Sequence, residues 1–266
     1  MPTPKLSIIT VNLNNAEGLR KTIESVVSQT FTNYEYIIID GGSTDGSVEI
    51  IKLYADTITY WVSEPDKGIY NAMNKGIMVA KGEYCQFLNS GDWLVNENVL
   101  KEVFADFPDV DIVYGDLETE KGITKYPEKL TLANFFYGSL PHPSTFIKSE
   151  LFQTYGHYNE NNKIVSDWEF FILTLIINQC PYKRINHNIS FFEAGGISDN
   201  VLNTSKYLKE VDETLKKYFP LMYEDYVEYH KIKTELITYN NSRIIQFIKR
   251  LQNTWIYNLI FVKKYI

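Results

Sequence analysis

The chain opens with an apolar run, Leu6 to Val11, of the length expected for a strand buried on both faces. Beyond it, Asn14 and Glu17 have capping-box spacing, and Leu19, Ile23, Val26 and Val27 recur with helical period. Tyr36 to Ile39 predicts a second strand, stopped by Asp40-Gly41-Gly42. A helix from about Ser47 to Tyr54 then leads to a strand at Thr59 to Val62. Ile69, Ala72, Met73, Ile77 and Ala80 mark one face of the next helix, with Gly82 as its stop. Tyr84 to Leu88 predicts a strand running into Asn89-Ser90-Gly91-Asp92. A helix bearing Val99, Val103 and Phe107 precedes a strand at Ile112 to Tyr114. This alternation predicts a doubly wound α/β sheet, in which ligands sit at the carboxyl ends of the strands.

The second half is less regular. It predicts a hairpin over Leu117 to Tyr126, a short helix from Leu132 to Tyr137, and a loop or edge strand opened by Pro141-His142-Pro143. Ser166 to Ile177 reads as an apolar helix, and Tyr182 to Ile185 and Ile189 to Phe192 as strands. A Gly195-Gly196 hinge follows, then helices over Thr204 to Tyr218 and roughly Met222 to Ile237.

Two of the acids fall at strand ends. Asp40 ends one strand and Asp92 closes the loop after another, so both face one crevice. Asp40 either accepts hydrogen bonds from a base or ribose or is turn chemistry. Asp92 either reaches a metal that bridges a diphosphate or is a turn or cap residue. Asp45, in Thr44-Asp45-Gly46-Ser47, reads as a helix cap. Ser166 and Glu169 have capping-box spacing, which leaves Asp167 at the first helical position with its side chain free. There it is either a general base kept ionised by the helix terminus or a dipole-stabilising acid. His142 either contacts acceptor or metal or is structural, Trp168 stacks on an acceptor sugar or is core, and Gly195-Gly196-Ile197-Ser198 is a lid or an ordinary turn.

The net charge of −7 argues against general nucleic-acid binding. Residues 241–266, however, hold Arg243, Lys249, Arg250, Lys263 and Lys264 and no acid, leaving the rest of the chain at −12. In the same stretch Ile244, Ile248, Leu251, Trp255, Leu259 and Val262 recur at helical spacing. Such a helix lies in an anionic membrane interface, or packs on its own domain or on a dimer partner. Two cysteines, Cys85 and Cys180, fit a reducing cytosol. No signal peptide is expected from the opening residues, and no spanning helix, since no run of about 18 apolar residues occurs. GxGxxG is absent after the first strand, against a dinucleotide-dependent oxidoreductase. Asn12-Leu13-Asn14-Asn15 stands where a nucleotidyltransferase would carry a glycine-rich loop with a basic residue.

Five segments in order carry a resemblance. They are Ser7-Ile8-Ile9-Thr10-Val11-Asn12-Leu13-Asn14, Ile39-Asp40-Gly41-Gly42-Ser43-Thr44-Asp45-Gly46, the stretch from Glu64-Pro65-Asp66-Lys67-Gly68-Ile69-Tyr70 to Asn74-Lys75-Gly76, Phe87-Leu88-Asn89-Ser90-Gly91-Asp92, and Ser166-Asp167-Trp168-Glu169, preceded by His142-Pro143-Ser144-Thr145-Phe146. Together they resemble family 2 of the glycosyltransferases, over about residues 5 to 200. The resemblance implies a GT-A fold: a mixed, mostly parallel sheet flanked by helices. It implies a catalytic domain over 1–202, with a nucleotide-binding half to about 115 and an acceptor-binding half from 116, and a helical extension over 203–266. It also implies an inverting transfer from a nucleotide-sugar, UDP above all, to a glycan or lipid-linked hydroxyl in surface-polysaccharide synthesis. The enzyme would work in the cytoplasm or peripherally at the inner face of the plasma membrane. The alternative is a silent nucleotide-sugar or glycan-binding module.

By the same resemblance Val11, Asn12, Asn14 and Asp40 line the nucleoside pocket, and Asp66, Gly68, Asn74, Ser90 and Gly91 lie near the base or diphosphate. Asp92 holds Mn²⁺ or Mg²⁺, Asp167 is the base, and His142, Trp168 and Glu169 face the acceptor. The chain departs from the family pattern twice: Asn89-Ser90-Gly91 replaces an acid-rich run before Asp92, and Met73 stands where arginine is frequent.

Overall fold

A computed structural model describes residues 3–136, 138–194, 204–242 and 245–247. In it, β1 (Leu6–Asn12), α1 (Ala16–Val27), β2 (Tyr34–Asp40), α2 (Ser47–Leu53), β3 (Tyr60–Ser63), α3 (Ile69–Val79) and β4 (Tyr84–Phe87) form the doubly wound half. There follow β5 (Trp93–Leu94), α4 (Val99–Ala105), β6 (Ile112–Thr119), β7 (Gly122–Thr124), α5 (Leu132–Phe136), β8 (Thr145–Lys148), α6 (Ser149–Tyr155), α7 (Ser166–Phe171), β9 (Tyr182–Phe191), α8 (Thr204–Tyr218) and α9 (Tyr223–Asn241).

Strand order among the described residues is β3-β2-β1-β4-β8-β6-β9-β5, with β7 paired to β6. The first four strands are mutually parallel, whereas β8 is antiparallel to both β4 and β6. The sheet is therefore mixed and flanked by helices, as expected. Parallel pairing aligns Asn12, Asp40 and Ser63 across three strand ends, so one edge of the sheet gathers polar groups. Every residue of β1 is buried, which is why its sequence is a near-continuous apolar run. Leu6, Ile8, Tyr36, Ile38 and Tyr84 pack with Leu19, Ile23 and Val26 of α1, Ile51 of α2 and Leu100 of α4.

Several local expectations are corrected. Asn15, not Asn14, caps α1, its Oδ1 accepting from Gly18 N at 3.1 Å. Asn14 instead takes a left-handed conformation (φ 51°). Helix α3 ends at Val79, and Gly82 serves a close approach: a Cβ there would lie 2.5 Å from Ser7 N. The helix beginning at Ser166 turns into a π-helical segment at Ile172–Ile177. The two strands expected between Tyr182 and Phe192 are one strand, β9, whose pairing with β6 shifts register around Asp116. His142–Ser144 is a short 3₁₀ turn, and the strand after it is internal, between β4 and β8's other neighbour β6, not at an edge.

By contacts the chain divides into two units, Met1–Glu210 and Val211–Ile266. In the second, α9 buries no residue, and Tyr223 OH donates to Asp212. No helix among the described residues is long and apolar enough to cross a membrane. The expected hinge or lid at Gly195–Ser198, the 202/203 boundary and most of the basic stretch 241–266 lie outside the described residues.

In the first unit, β6 and β9 are joined by a buried ion pair: Arg184 Nη2 donates to Asp116 Oδ1 and Oδ2 at 2.8 and 2.7 Å. Removing one partner strands the other charge, a loss of about 3–5 kcal/mol. Arg184→Met should therefore lower the thermal midpoint by roughly 10 °C, and adding Asp116→Asn should recover part of it. Calorimetry of the two variants checks this; an unchanged midpoint in Arg184→Met contradicts it.

Candidate active site

Asp40 is fully buried at the end of β2. Its carboxylate accepts from Asn12 Nδ2 (2.7 Å), Ser43 Oγ (2.6 Å), Ser63 Oγ (2.6 Å), Ser43 N (2.9 Å) and Gly42 N (3.2 Å). Burial is the largest single influence and acts to raise its pKa. The donors from Ser43, Ser63 and Asn12 together outweigh it, and the net shift is downward. Asp40 is thus an ionised anchor that shapes the loop after β2. Asn12 Oδ1 is buried with no hydrogen-bond partner beside it. Asn14 ties this loop to the one after β1, its N–H donating to Ser43 Oγ and its Oδ1 accepting from Thr44 N. Asp45 caps from outside the helix, bonding Ser47 N and, across the gap, Ala16 N. Asp66 closes over the same loop: its Oδ2 lies 2.5 Å from where a Cβ on Gly41 would stand, so a side chain at Gly41 would displace the Asp66 carboxylate. Asp66 Oδ1 accepts from Gly68 N at 2.7 Å.

The loop after β4 is held from two sides. Ser90 N donates to Val11 O, and Asn15 Nδ2 to Ser90 O. Thr22 Oγ1 donates to Asp92 O at 2.7 Å and lies 3.0 Å from Gly91 N. Asp92 is buried, and its carboxylate has Glu193 N at 3.4 Å. Burial pushes its pKa up to about 7, against the opposing pull of His142. Glu193 reaches over Gly91, its Oε2 3.1 Å from a Cβ placed there, and its Oε1 pairs with Lys21 Nζ at 2.9 Å.

His142 joins this loop to the helix that bears Asp167. Its Nε2 is 3.1 Å from Asn89 Nδ2, and its Nδ1 is 3.6 Å from Asp167 Oδ2, an ion-pair distance. Burial lowers the imidazole pKa, but Asp167, helped by Asp92, outweighs it and the net shift is upward. Half a turn of the Asn89 amide would bring Oδ1, buried without a partner, to accept from Nε2–H of the charged ring. Asp167 Oδ1 accepts from Tyr70 OH at 2.8 Å. Here too burial raises the pKa most, yet His142 and Tyr70 carry it below the ordinary carboxylate value. A carboxylate so held is charged at neutral pH and has oxygens aimed at neighbouring O–H groups.

Asp92, His142 and Asp167 therefore form one cluster, joined to Val11, Asn12 and Asp40 along the same strand-end edge. Three other residues expected in the site serve the scaffold instead. Asn74 spends its amide on Tyr158 N and O and on Glu160. Trp168 is buried, its indole N–H donating to Phe135 O at 2.7 Å. Glu169 accepts from the Asn159 and Asn162 side chains. Asp167 is the second helical residue, after Ser166. Tyr70 and Glu193 were not anticipated: each meets its partner across about a hundred residues, and only Tyr70's place in the third motif hinted at a role. A separate cavity of about 420 Å³, lined by Glu128, Lys129, Tyr182, Lys183 and Arg184, shares no residue with the cluster.

Residues 7–173 match the family model described as Glycosyl transferase family 2. The chain belongs to that family. Among the family's curated proteins it is similar to the PGL/p-HBAD biosynthesis glycosyltransferase of Mycobacterium tuberculosis, 30% identical over 220 residues, covering 79% of this chain and 85% of the relative. Among solved structures it resembles S. aureus TarS 1-349 in complex with UDP-GlcNAc, with TM-score 0.64 and 18% identity over 80% of this chain and 66% of that one. It also resembles the mannosyltransferase PcManGT from Pyrobaculum calidifontis in complex with GDP-Man and Mn2+, with TM-score 0.58, 15% identity and coverage of 80% and 64%. The fold is of the GT-A type, and this family 2 chain is a sugar transferase.

The raised pKa of Asp92 has a consequence for stability. An acid whose folded-state pKa lies above its unfolded value stabilises the fold fully below the unfolded pKa, near 3.9, and that contribution is lost as pH rises through about 7. In chelator-treated buffer at pH 8, Asp92→Asn should raise the thermal midpoint by roughly 4 °C, with the gain shrinking as pH is lowered toward 5. A midpoint at pH 8 equal to or below that of the parent protein contradicts this.

Proposed function

We propose that this family 2 transferase moves a sugar from a nucleotide-sugar, UDP-linked above all, to an acceptor hydroxyl with inversion, and that Asp167 is its general base. The observation that carries the reading is the cluster itself. Asp167 is held ionised by His142 and Tyr70, one imidazole away from the buried Asp92, at the strand edge where doubly wound sheets take their ligands. The acceptor O–H hydrogen-bonds an Asp167 oxygen, and its oxygen attacks the anomeric carbon from the face opposite the diphosphate. As the new C–O bond forms, the bond to the diphosphate oxygen breaks, the nucleoside diphosphate leaves with that electron pair, and Asp167 takes the proton. A base of low pKa receives that proton late, once positive charge has built on the attacking oxygen. His142 balances the carboxylate before transfer.

Mn²⁺ or Mg²⁺ suits the chemistry of Asp92, a buried carboxylate that a cation would stabilise in its charged form, with Glu193 close by. No group of three or more His, Cys, Asp or Glu side chains among the described residues is arranged to hold a metal ion. Asp92 would hold such an ion together with oxygens of the donor diphosphate, as Mg²⁺ and Mn²⁺ commonly share carboxylates with phosphates. When bound, it neutralises charge on the departing diphosphate. The nucleoside end falls to Asn12, Asn14, Asp40 and Asp66, with Gly68, Ser90 and Gly91 lining the path between. The complexes of TarS with UDP-GlcNAc and of PcManGT with GDP-Man and Mn2+ support a nucleotide-sugar donor and a divalent ion. A glycan or lipid-linked acceptor in surface-polysaccharide assembly, met at the cytoplasmic face of the membrane, completes the reading. A peripheral contact or homodimer would form through 241–266.

Thermal-shift screening of nucleotide-sugars with Mn²⁺ identifies the donor. With it, Asp167→Asn should bind the nucleotide as the parent does while turnover falls by about 10²–10⁴. Full turnover by that variant refutes the assignment.

A further inference from the structure

Helix α7 starts without a cap of its own. Its N-cap residue is Val165, which has no polar side chain, and Ser166 Oγ is buried with no hydrogen-bond partner. The exposed N–H groups at a helix start need an acceptor, and a carboxylate is the strongest. For α7 a distant carboxylate reaches only the N-cap N–H, Val165 N, and the same group holds the two residues that precede the helix. Glu210 of α8, almost fully buried, accepts from Lys163 N through Oε1 (2.9 Å) and from Ile164 N and Val165 N through Oε2 (2.9 and 3.3 Å).

The same peptide segment touches the base through Tyr70. Tyr70 OH lies 2.7 Å from Ile164 O and 2.8 Å from Asp167 Oδ1. The Ile164 residue is thus held at its N–H by Glu210, and its C=O shares the single phenol proton of Tyr70 with Asp167 Oδ1. Lys163 ties the segment to the donor side as well, its Nζ donating to Lys67 O and Glu160 O. Tyr207, one turn before Glu210 on α8, also lies alongside: burial, and then the charge of Asp167, raise its phenol pKa.

We propose that Glu210 is a positioning residue for Asp167, holding from α8 the 163–165 backbone that leads into α7 and so fixing the place of the base. It touches no reacting atom. Its effect runs through the 163–165 backbone and Tyr70. This rests on the reading of Asp167 as the base.

The test uses the full-length protein with Glu210→Ala, the isosteric Glu210→Gln, and the shorter acid Glu210→Asp, with Asp167→Asn alongside. Hydrogen exchange at 163–165, UDP affinity in Mn²⁺, and kcat and KM for the donor found by thermal shift are measured well below each midpoint. In Glu210→Ala the 163–165 amides should exchange faster, and kcat should fall at least about tenfold while UDP affinity and donor KM stay within about twofold. Glu210→Gln, which keeps shape but not charge, and Glu210→Asp, which keeps charge on a side chain one methylene shorter, should both lie between it and the parent.

Faster exchange with parental kcat overturns the proposal, since the contact would then be structural only. So does a fall in kcat matched by equal loss of UDP binding, or unchanged exchange at 163–165. If Asp167→Asn keeps turnover, the base assignment itself has failed. If Asp167→Asn is inactive while Glu210→Ala keeps parental kcat, only the positioning role has failed.

Discussion

Burial of carboxylates at one edge of a parallel sheet is the constraint on which this site depends. A charge taken out of water must be compensated locally or it takes up a proton. The chain meets this demand unequally at its three acids. Asp40 has five short or moderate hydrogen bonds from its own loop and neighbouring strands, and its pKa falls. Asp167 has His142 and Tyr70 and also falls. Asp92 has only backbone donors, from Glu193 and Asn89, and the pull of His142, and rises to about 7. That inequality suits the three roles proposed for them: an anchor for the donor loop, a charged base, and an acid whose charge a cation arriving with the diphosphate would balance.

The scaffold makes these environments from long-range pairings. Parallel register sets Asn12 beside Asp40 and Asp40 beside Ser63. The insertion of antiparallel β8 next to β4 carries His142, just ahead of it, to Asn89 on the loop that ends in Asp92. Tyr70, at the start of α3, then meets Asp167, 97 residues later. The loop that ends in Asp92 and the start of α7 are thereby linked through His142, and α3 joins them through Tyr70.

This division also explains what was legible in the sequence. Strands β1, β2 and β4 announced themselves because both faces of each are buried, and a strand of that kind reads as a near-continuous apolar run. The acids at their ends followed, since strand ends are fixed once strands are. Helix starts were less legible. Ser166 and Glu169 have the spacing of a local cap, but the Ser166 hydroxyl has no partner, the backbone leading into the helix is held by Glu210 from 45 residues away, and Glu169 also binds Asn159 and Asn162. Asn14 lost its capping role to Asn15 in the same way, by one residue, because its own side chain is drawn to Thr44. Asn74 and Trp168 carried polar or aromatic chemistry suited to a ligand, and only the packing of Tyr158 and Phe135 against them shows that both are spent on the scaffold.

The central claim is that one continuous strand-end cleft binds the donor with its nucleoside at the Asn12–Asp40 end and its sugar facing Asp167. A crystal structure with an unreactive UDP-sugar analogue and Mn²⁺ tests this most directly. The account predicts diphosphate density beside Asp92, the base near Asn12 and Asp66, and the anomeric carbon open to an Asp167 oxygen. A nucleotide seated in the Glu128–Arg184 cavity, or one whose sugar points away from Asp167, would contradict it.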